Sequence, residues 1–145
     1  MTDTRGCNLP DDLYYWIDKH AWARDDGSGE LTIGITDVAQ NLAKRVVAIT
    51  TKKVGKVLER GQSVATVESG KWVGPVPSPV DGEVTAVNPD LAMDPTLVNS
   101  DPYGAGWIVR LRPSNWDGQK GELASGSGGV EAYAAFLAAE GISCG

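Results

Sequence analysis

The chain has 145 residues, 41% of them hydrophobic, with 18 Gly, 8 Pro and a net charge of −6. That length and apolar content suit one domain with a real core, and the acidic balance argues against a nucleic-acid binder, whose footprint is basic. No apolar run is long enough to span a bilayer. The single histidine and two distant cysteines, with no CxxC pair, give a metal centre no support. The first residues, Met1-Thr-Asp-Thr-Arg-Gly-Cys7, carry no apolar signal core, so the expected compartment is the cytoplasm. There a structural disulfide between Cys7 and Cys144 is not expected.

Leu13-Tyr-Tyr-Trp-Ile-Asp18 and Ala21-Trp-Ala-Arg24 read as aromatic-rich strands. Asp25–Gly29 is a turn, and Glu30-Leu-Thr-Ile-Gly-Ile35 is the returning strand. Thr36 or Asp37 caps a short helix over Val38–Ala43. Val46–Thr50 reads as a buried strand, followed by a basic turn, Lys52-Lys-Val-Gly-Lys56. Ser63–Glu68, Val73–Val76 and Glu83–Val87 are further strands, with a tight turn at Ser69-Gly-Lys-Trp72. Asp90–Ser100 includes a helical turn, and Trp107–Arg112 is expected to be the last strand. Gly118–Gly129 reads as flexible, and Val130–Ala139 as a terminal helix that Gly141 ends. Frequent strands between close turns point to a sandwich or barrel.

An isolated turn lysine such as Lys71 is ordinarily a solvated charge. Its surroundings give it more meaning. From about Leu13 to Pro113 the chain resembles the H proteins of glycine cleavage. The resemblance rests on Lys19-His-Ala-Trp22, Ile33-Gly-Ile-Thr-Asp37, Val67-Glu-Ser69 before Lys71, Pro79-Val-Asp-Gly-Glu-Val84, Leu97-Val-Asn99 and Asp101-Pro-Tyr-Gly-Ala-Gly-Trp107, in that order. It implies a mostly β, barrel-sandwich hybrid of the lipoyl/biotinyl type, with short helices and a C-terminal helix. It implies division into an N-terminal extension (1–12), a lipoyl-carrier domain (13–113) and a flexible segment with the C-terminal helix (114–145). It also implies lipoic acid joined by an amide to Lys71, on a carrier that is not itself an enzyme. Biotin carriers commonly flank the lysine with methionines, whereas Gly70 and Trp72 stand here.

The chain departs from the glycine cleavage pattern at Ala21 and Pro75, where that family resemblance implies a glutamate and an aspartate sheltering a cationic aminomethyl cargo. Losing a charge-assisted hydrogen bond removes roughly 1.5–3 kcal/mol, and Lys19 adds repulsion. Glu68, Trp72, His20 and Lys19 are the candidate residues of the arm's cleft, with Trp72 as a lid or packing residue and His20 as a hydrogen-bonded structural one. Lys44, Arg45, Lys52, Lys53 and Lys56 cluster in sequence, either as a solvated face or as a docking patch.

A second resemblance, to lipoate-binding proteins of bacterial and archaeal sulfur oxidation, spans nearly the whole chain. It rests on Glu68-Ser-Gly-Lys-Trp-Val-Gly-Pro75, Gly6-Cys-Asn-Leu-Pro10, Lys52-Lys-Val-Gly55 and Arg112-Pro-Ser-Asn-Trp116. It implies a sulfur-carrying arm and three partners: a lipoate ligase or lipoyl-transfer enzyme, a heterodisulfide-reductase-like complex and a reoxidant of the dihydrolipoamide dehydrogenase type. Cys7 and Cys144 are then either incidental terminal thiols or participants in sulfur or redox exchange. A glycine cleavage H protein and a lipoate relay or storage protein stand as alternatives.

Overall fold

Alternating short strands need two faces covered, and the chain supplies the cover from both of its ends. The computed structural model describes residues 2–144. In chain order these form β1 (Tyr14–Trp16), β2 (Ala21–Asp25), β3 (Leu31–Ile35), α1 (Asp37–Ala43), β4 (Val46–Thr51), β5 (Val57–Leu58) and β6 (Ser63–Ser69). There follow β7 (Val73–Pro77), β8 (Gly82–Val87), α2 (Asp90–Met93), α3 (Leu97–Ser100), β9 (Val109–Pro113), α4 (Trp116–Gln119), β10 (Ala124–Ser125) and α5 (Gly126–Glu140). Short 3-10 turns cover Ile17–Lys19 and Lys120–Glu122.

A seven-stranded sheet runs β10-β1-β2-β3-β9-β8-β5, and a three-stranded sheet runs β4-β6-β7. Every pairing is antiparallel. Ala23, Leu31, Ile33, Val64, Val67, Val76, Val84, Val109 and Leu111 form one continuous buried cluster drawn from both sheets. This is the mostly β sandwich that the strand pattern calls for. The side-chain period of two explains which residues enter it along most of β6: Ala65 and Val67 are buried while Thr66 and Glu68 face outward, and Val64 is buried beside the register shift between Ser63 and Ala65.

The larger sheet has a second apolar face. Tyr15 and Trp22 are partners across β1 and β2, and both are fully buried. They pack in a second cluster with Cys7, Leu9, Leu13, Val38, Tyr103, Tyr133 and Leu137. Trp22 stands opposite Gly34, where an added Cβ would come within 2.7 Å of the indole. The indole Nε1–H donates to the Ile35 and Pro102 carbonyls at 2.9 and 3.2 Å, so burying this ring leaves no unpaired donor.

The expectations for the segment after residue 113 need correcting. Gly118–Gly129 is not a structureless tether. It contains α4's end, a 3-10 turn, β10 paired on β1, and the first turn of α5. Asn115 caps α4 by accepting from the Gly118 N–H at 3.2 Å. Tyr133 and Leu137 of α5 are fully buried against the sheet. Residues 114–144 and 2–12 therefore complete the same fold rather than flank it. Two further strands escaped the sequence reading: β5 and β10, each two residues long, are too short to show a period. Val46–Thr51 is a strand as expected, yet only Val46 of it is buried, and Val47 is 53% exposed.

The largest correction concerns the cysteines. Cys7 and Cys144 are joined in a disulfide, with Cα atoms 4.9 Å apart. A tight turn prepares the joint: Arg5 and Gly6 both have positive φ, and a Cβ on Gly6 would lie 2.4 Å from the Cys144 carbonyl oxygen. The Cys144 N–H donates to the Arg5 carbonyl at 3.0 Å, and Arg5 Nε donates to the Ile142 carbonyl at 2.6 Å. Compartment averages say nothing of a particular pair, and sequence separation hid that both ends converge on the face covered by α5.

Because the crosslink spans 137 residues of chain, breaking it frees a long loop in the unfolded ensemble. Reduction, or Cys7→Ser, is expected to lower unfolding stability by about 2–4 kcal/mol in urea titrations. A Cys7→Ser/Cys144→Ser variant should ignore added reductant; equal reductant sensitivity in that variant would refute the assignment.

Candidate functional site

The hairpin of β6 and β7 ends in Gly70-Lys71-Trp72, and its tip is held by one side chain. The Ser69 N–H donates to the Trp72 carbonyl at 2.7 Å. The buried Ser69 hydroxyl oxygen accepts from the Lys71 and Trp72 N–H groups at 3.3 and 3.1 Å. This local hydroxyl turn closes three residues without a tip glycine at positive φ. Ser69 also pairs with Val46, so the tip is tied to the third strand of its sheet. Sequence reading passed over Ser69 as a working residue; a serine directly before a three-residue turn is the signal that would have found it.

Lys71 is exposed, and nothing lies within 4 Å of where a Cβ on Gly70 would sit. The lysine therefore projects from an open tip that an enzyme can reach. The Trp72 ring folds back across Gly74, where an added Cβ would sit 2.0 Å from the indole. Only a glycine leaves room for that conformation. Trp72 remains 48% exposed, with one face against the hairpin.

Beside the tip lies a cleft of about 760 Å³. The 3-10 turn supplies Asp18, Lys19 and then His20; α1 supplies Ala39, Leu42 and Ala43; the hairpin supplies Val67, Lys71, Trp72, Pro75, Val76 and Pro77. Trp16, Ile35 and Gly61 complete the wall. The cleft is thus mainly apolar, with its charged groups at the turn and at Lys71. Trp16 carries the Arg60 guanidinium 4.0 Å above its ring, which fixes that wall from behind.

Four of the expected residues meet here: Lys71, Trp72, His20 and Lys19. Glu68 does not. It is exposed on β6, pairs with Val73 and points away from the face that Val67 presents to the cleft. Cys7 and Cys144 belong to the cluster under α5 and are absent from the cleft wall. Pro75 lines the cleft, whereas Ala21 is fully buried and does not. The cleft nevertheless keeps one carboxylate, Asp18, which the sequence reading overlooked because it sits in a turn that resembled strand. Among the described residues no cluster of His, Cys, Asp or Glu could hold a metal ion.

His20 is positioned with care. Its backbone is left-handed at φ 54°, which turns the chain from the 3-10 turn into β2. Its Nδ1 is hydrogen-bonded to the Tyr133 hydroxyl at 2.5 Å, and that hydroxyl also meets Thr36 Oγ1 at 2.9 Å. Burial pushes the Tyr133 phenol well above its ordinary value, so it stays protonated. Burial likewise holds His20 below its ordinary value of 6.5, against the opposing pull of Asp18. A helix from the far end of the chain thereby sets the ring that walls the cleft.

Fold and site together define a barrel-sandwich protein that presents one exposed lysine at a closed hairpin tip beside a mainly apolar cleft. The Glycine cleavage H-protein family profile matches residues 13–137, and the chain belongs to that family. It is 48% identical over 149 residues to glycine cleavage system H protein 5 of Aquifex aeolicus, with full coverage of both chains. It is 42% identical over 146 residues to probable glycine cleavage system H protein 2 of Sulfurisphaera tokodaii, covering 99% of this chain and 98% of the other. A crystal structure of a glycine cleavage system H protein from Mycobacterium marinum superposes with a TM-score of 0.74 at 28% identity, covering 92% of this chain and all of that one. Members of this family are lipoyl carriers that act with partner enzymes.

A lowered His20 pKa has a sign that can be checked. Below about pH 6.5 the unfolded histidine takes up a proton more readily than the folded one, so folding weakens as pH falls. His20→Asn keeps a residue tolerant of the left-handed backbone but removes the titration. Unfolding midpoints from about pH 7 to pH 5 should fall more steeply in the wild type than in the variant. Parallel profiles would show that His20 titrates normally.

Proposed function

We propose that this chain carries a lipoyl group in amide linkage to Lys71 and that the adjacent cleft receives the arm between visits to partner enzymes. The observation that carries this reading is Lys71 itself: it is exposed at a locked, sterically open hairpin tip and also stands on the wall of an apolar cleft. A lipoyl group supplies a dithiol/disulfide couple on a long stem, and the fit lies in the apolar lining. Trp72, Val67, Leu42 and Pro75 offer contact to a hydrocarbon stem, and the Lys71 backbone stays fixed while its side chain swings. The chain's own work is to present, shelter and release the arm.

Two cargo readings remain, and different observations favour them. The family match and the printed names of the relatives favour an aminomethyl cargo from glycine cleavage. Asp18 is a carboxylate on the cleft wall that could accept from such a cation. The second reading is a sulfur cargo, neutral or anionic, passed within cytoplasmic sulfur oxidation. Its support is the rest of the lining: Pro75 offers no charge, Lys19 is cationic and the walls are apolar. In that reading a heterodisulfide-reductase-like complex takes the cargo and a dihydrolipoamide dehydrogenase-type enzyme reoxidises the arm. Either way a lipoate ligase or lipoyl-transfer enzyme must first load Lys71.

Lys71→Arg keeps the charge but removes the acylable amine, and it should abolish loading by a purified lipoate ligase, read by intact mass. Loading of that variant at another lysine would contradict the assignment. Incubating the loaded protein in its disulfide form with glycine and the glycine decarboxylase, and in its dithiol form with a sulfane sulfur donor, then separates the cargoes by adduct mass. Decarboxylation delivers its electron pair to the disulfide, and sulfane sulfur is taken up by a thiol. An aminomethyl adduct supports glycine cleavage, and a sulfur adduct alone supports the second reading.

A further inference from the structure

The five basic residues that cluster in sequence do not form one patch. Lys52, Lys53 and Lys56 follow the far end of β4, whereas Lys44 and Arg45 precede its first residue. Val46 pairs with Ser69, the residue that locks the hairpin tip. Lys44 and Arg45 therefore lie at the arm end of the smaller sheet. The other three are about 20 Å away, given a rise of about 3.3 Å per strand residue.

The arm-end pair is presented by a built bracket. Lys44 has φ 65° and ψ −153°, a backbone region that side chains rarely adopt. Asn99 holds it there: its Nδ2 donates to the Lys44 carbonyl at 2.7 Å, and its Oδ1 accepts from the Val46 N–H at 2.9 Å. Gln40 braces the bracket through its carbonyl, which accepts from the Lys44 N–H at 3.0 Å, and its side chain, which accepts from Asn99 Nδ2 at 3.1 Å. A polar bowl of about 450 Å³ opens at this place, and no carboxylate lines it. Among the described residues the ion pairs are Arg60–Glu122, Arg112–Glu83 and Lys120–Asp117, so neither Lys44 nor Arg45 is neutralised. A chain of net charge −6 thus keeps two cations without a carboxylate partner at the end of the smaller sheet where the Lys71 hairpin turns.

We propose that this bowl, with Lys44 and Arg45 as its charges and Thr96 and Ser100 as added hydrogen-bonding groups, docks a carboxylate-bearing surface of the enzymes that act on Lys71. The contact lies across α1 from the arm's cleft, since Ala39, Leu42 and Ala43 face the cleft while Gln40, Asn41 and Lys44 face the bowl. A partner can hold this side of α1 without covering the cleft. Attraction between unlike charges speeds encounter and fades with salt, which suits a carrier that must bind and leave repeatedly. The net acidity of the rest of the chain repels the same partner elsewhere and so favours one orientation.

The docking role rests on Lys71 being the loaded residue, and one assay distinguishes the two. Full-length apo protein is loaded with lipoate by the purified ligase of its native host, and kcat/KM is measured from low to high salt. Lys44→Glu/Arg45→Glu should lower kcat/KM by about tenfold at low salt, flatten its salt dependence and leave kcat unchanged. Lys52→Glu/Lys53→Glu, which changes the net charge equally, should stay within about twofold of wild type. An unchanged arm-end variant overturns the docking role, and so does an equal loss in both variants, which reports bulk charge alone. Wild-type chain that the ligase loads elsewhere than Lys71, or not at all, overturns the carrier reading and the docking role with it.

Discussion

A buried hydroxyl at the end of one strand fixes the hairpin tip that presents Lys71. Ser69 accepts both N–H groups of the residues that follow the tip glycine, and its own strand is registered on β4 and β7. An exposed loop held only by its ends would move on its own timescale and scatter the lysine over many positions. Here the backbone of Lys71 is part of the sheet's geometry, and only the side chain is free. Precision in the stem and mobility in the arm are both needed by a carrier, and the turn separates them at one residue. The cleft follows from the same placement, because the hairpin contributes Val67 of β6, Pro75, Val76 and Pro77 of β7 and the tip residues Lys71 and Trp72 to its wall.

The rest of the fold keeps that cleft in shape from behind. The larger sheet buries aromatic side chains on the face away from the sandwich core, and α5 with the N-terminal segment covers them. Tyr133 links that cover to the cleft wall through its bonds to His20 and Thr36. Thr36 also caps α1, whose Ala39, Leu42 and Ala43 wall the cleft. The disulfide closes the cover by tying the two ends of the chain, so the cleft's outer turn depends on residues more than a hundred positions away. Stability and site shape are carried by the same contacts in this molecule.

Much of this was legible in the sequence, for reasons that differ by element. The long alternating strands and the α1 cap were readable because side-chain period and Thr36 act locally. Gly141 ends α5 with left-handed φ 69°, as its position implied. Lys71, Trp72, Lys19 and His20, which the sequence singled out, line one cleft. Long-range closure was not readable. The pairing of β10 on β1, the disulfide and the Tyr133–His20 bond all join residues whose separation leaves no local mark. Asp18 was missed for a subtler reason: a strand reading of Leu13–Asp18 ignores the 3-10 turn that swings it onto the cleft. Glu68 failed the other way, since strand alternation already placed it opposite Val67 and so outside the cleft.

Lysine, tip and cleft together make one claim, that Lys71 bears a lipoyl amide. Intact mass spectrometry of protein purified from its native host, followed by peptide mapping across residues 60–80, tests it most directly. The expected result is a single lipoyl modification on the peptide containing Lys71, with any further adduct mass naming the cargo. Unmodified Lys71 in a host that lipoylates its other carriers would contradict it and leave a barrel-sandwich module without an arm.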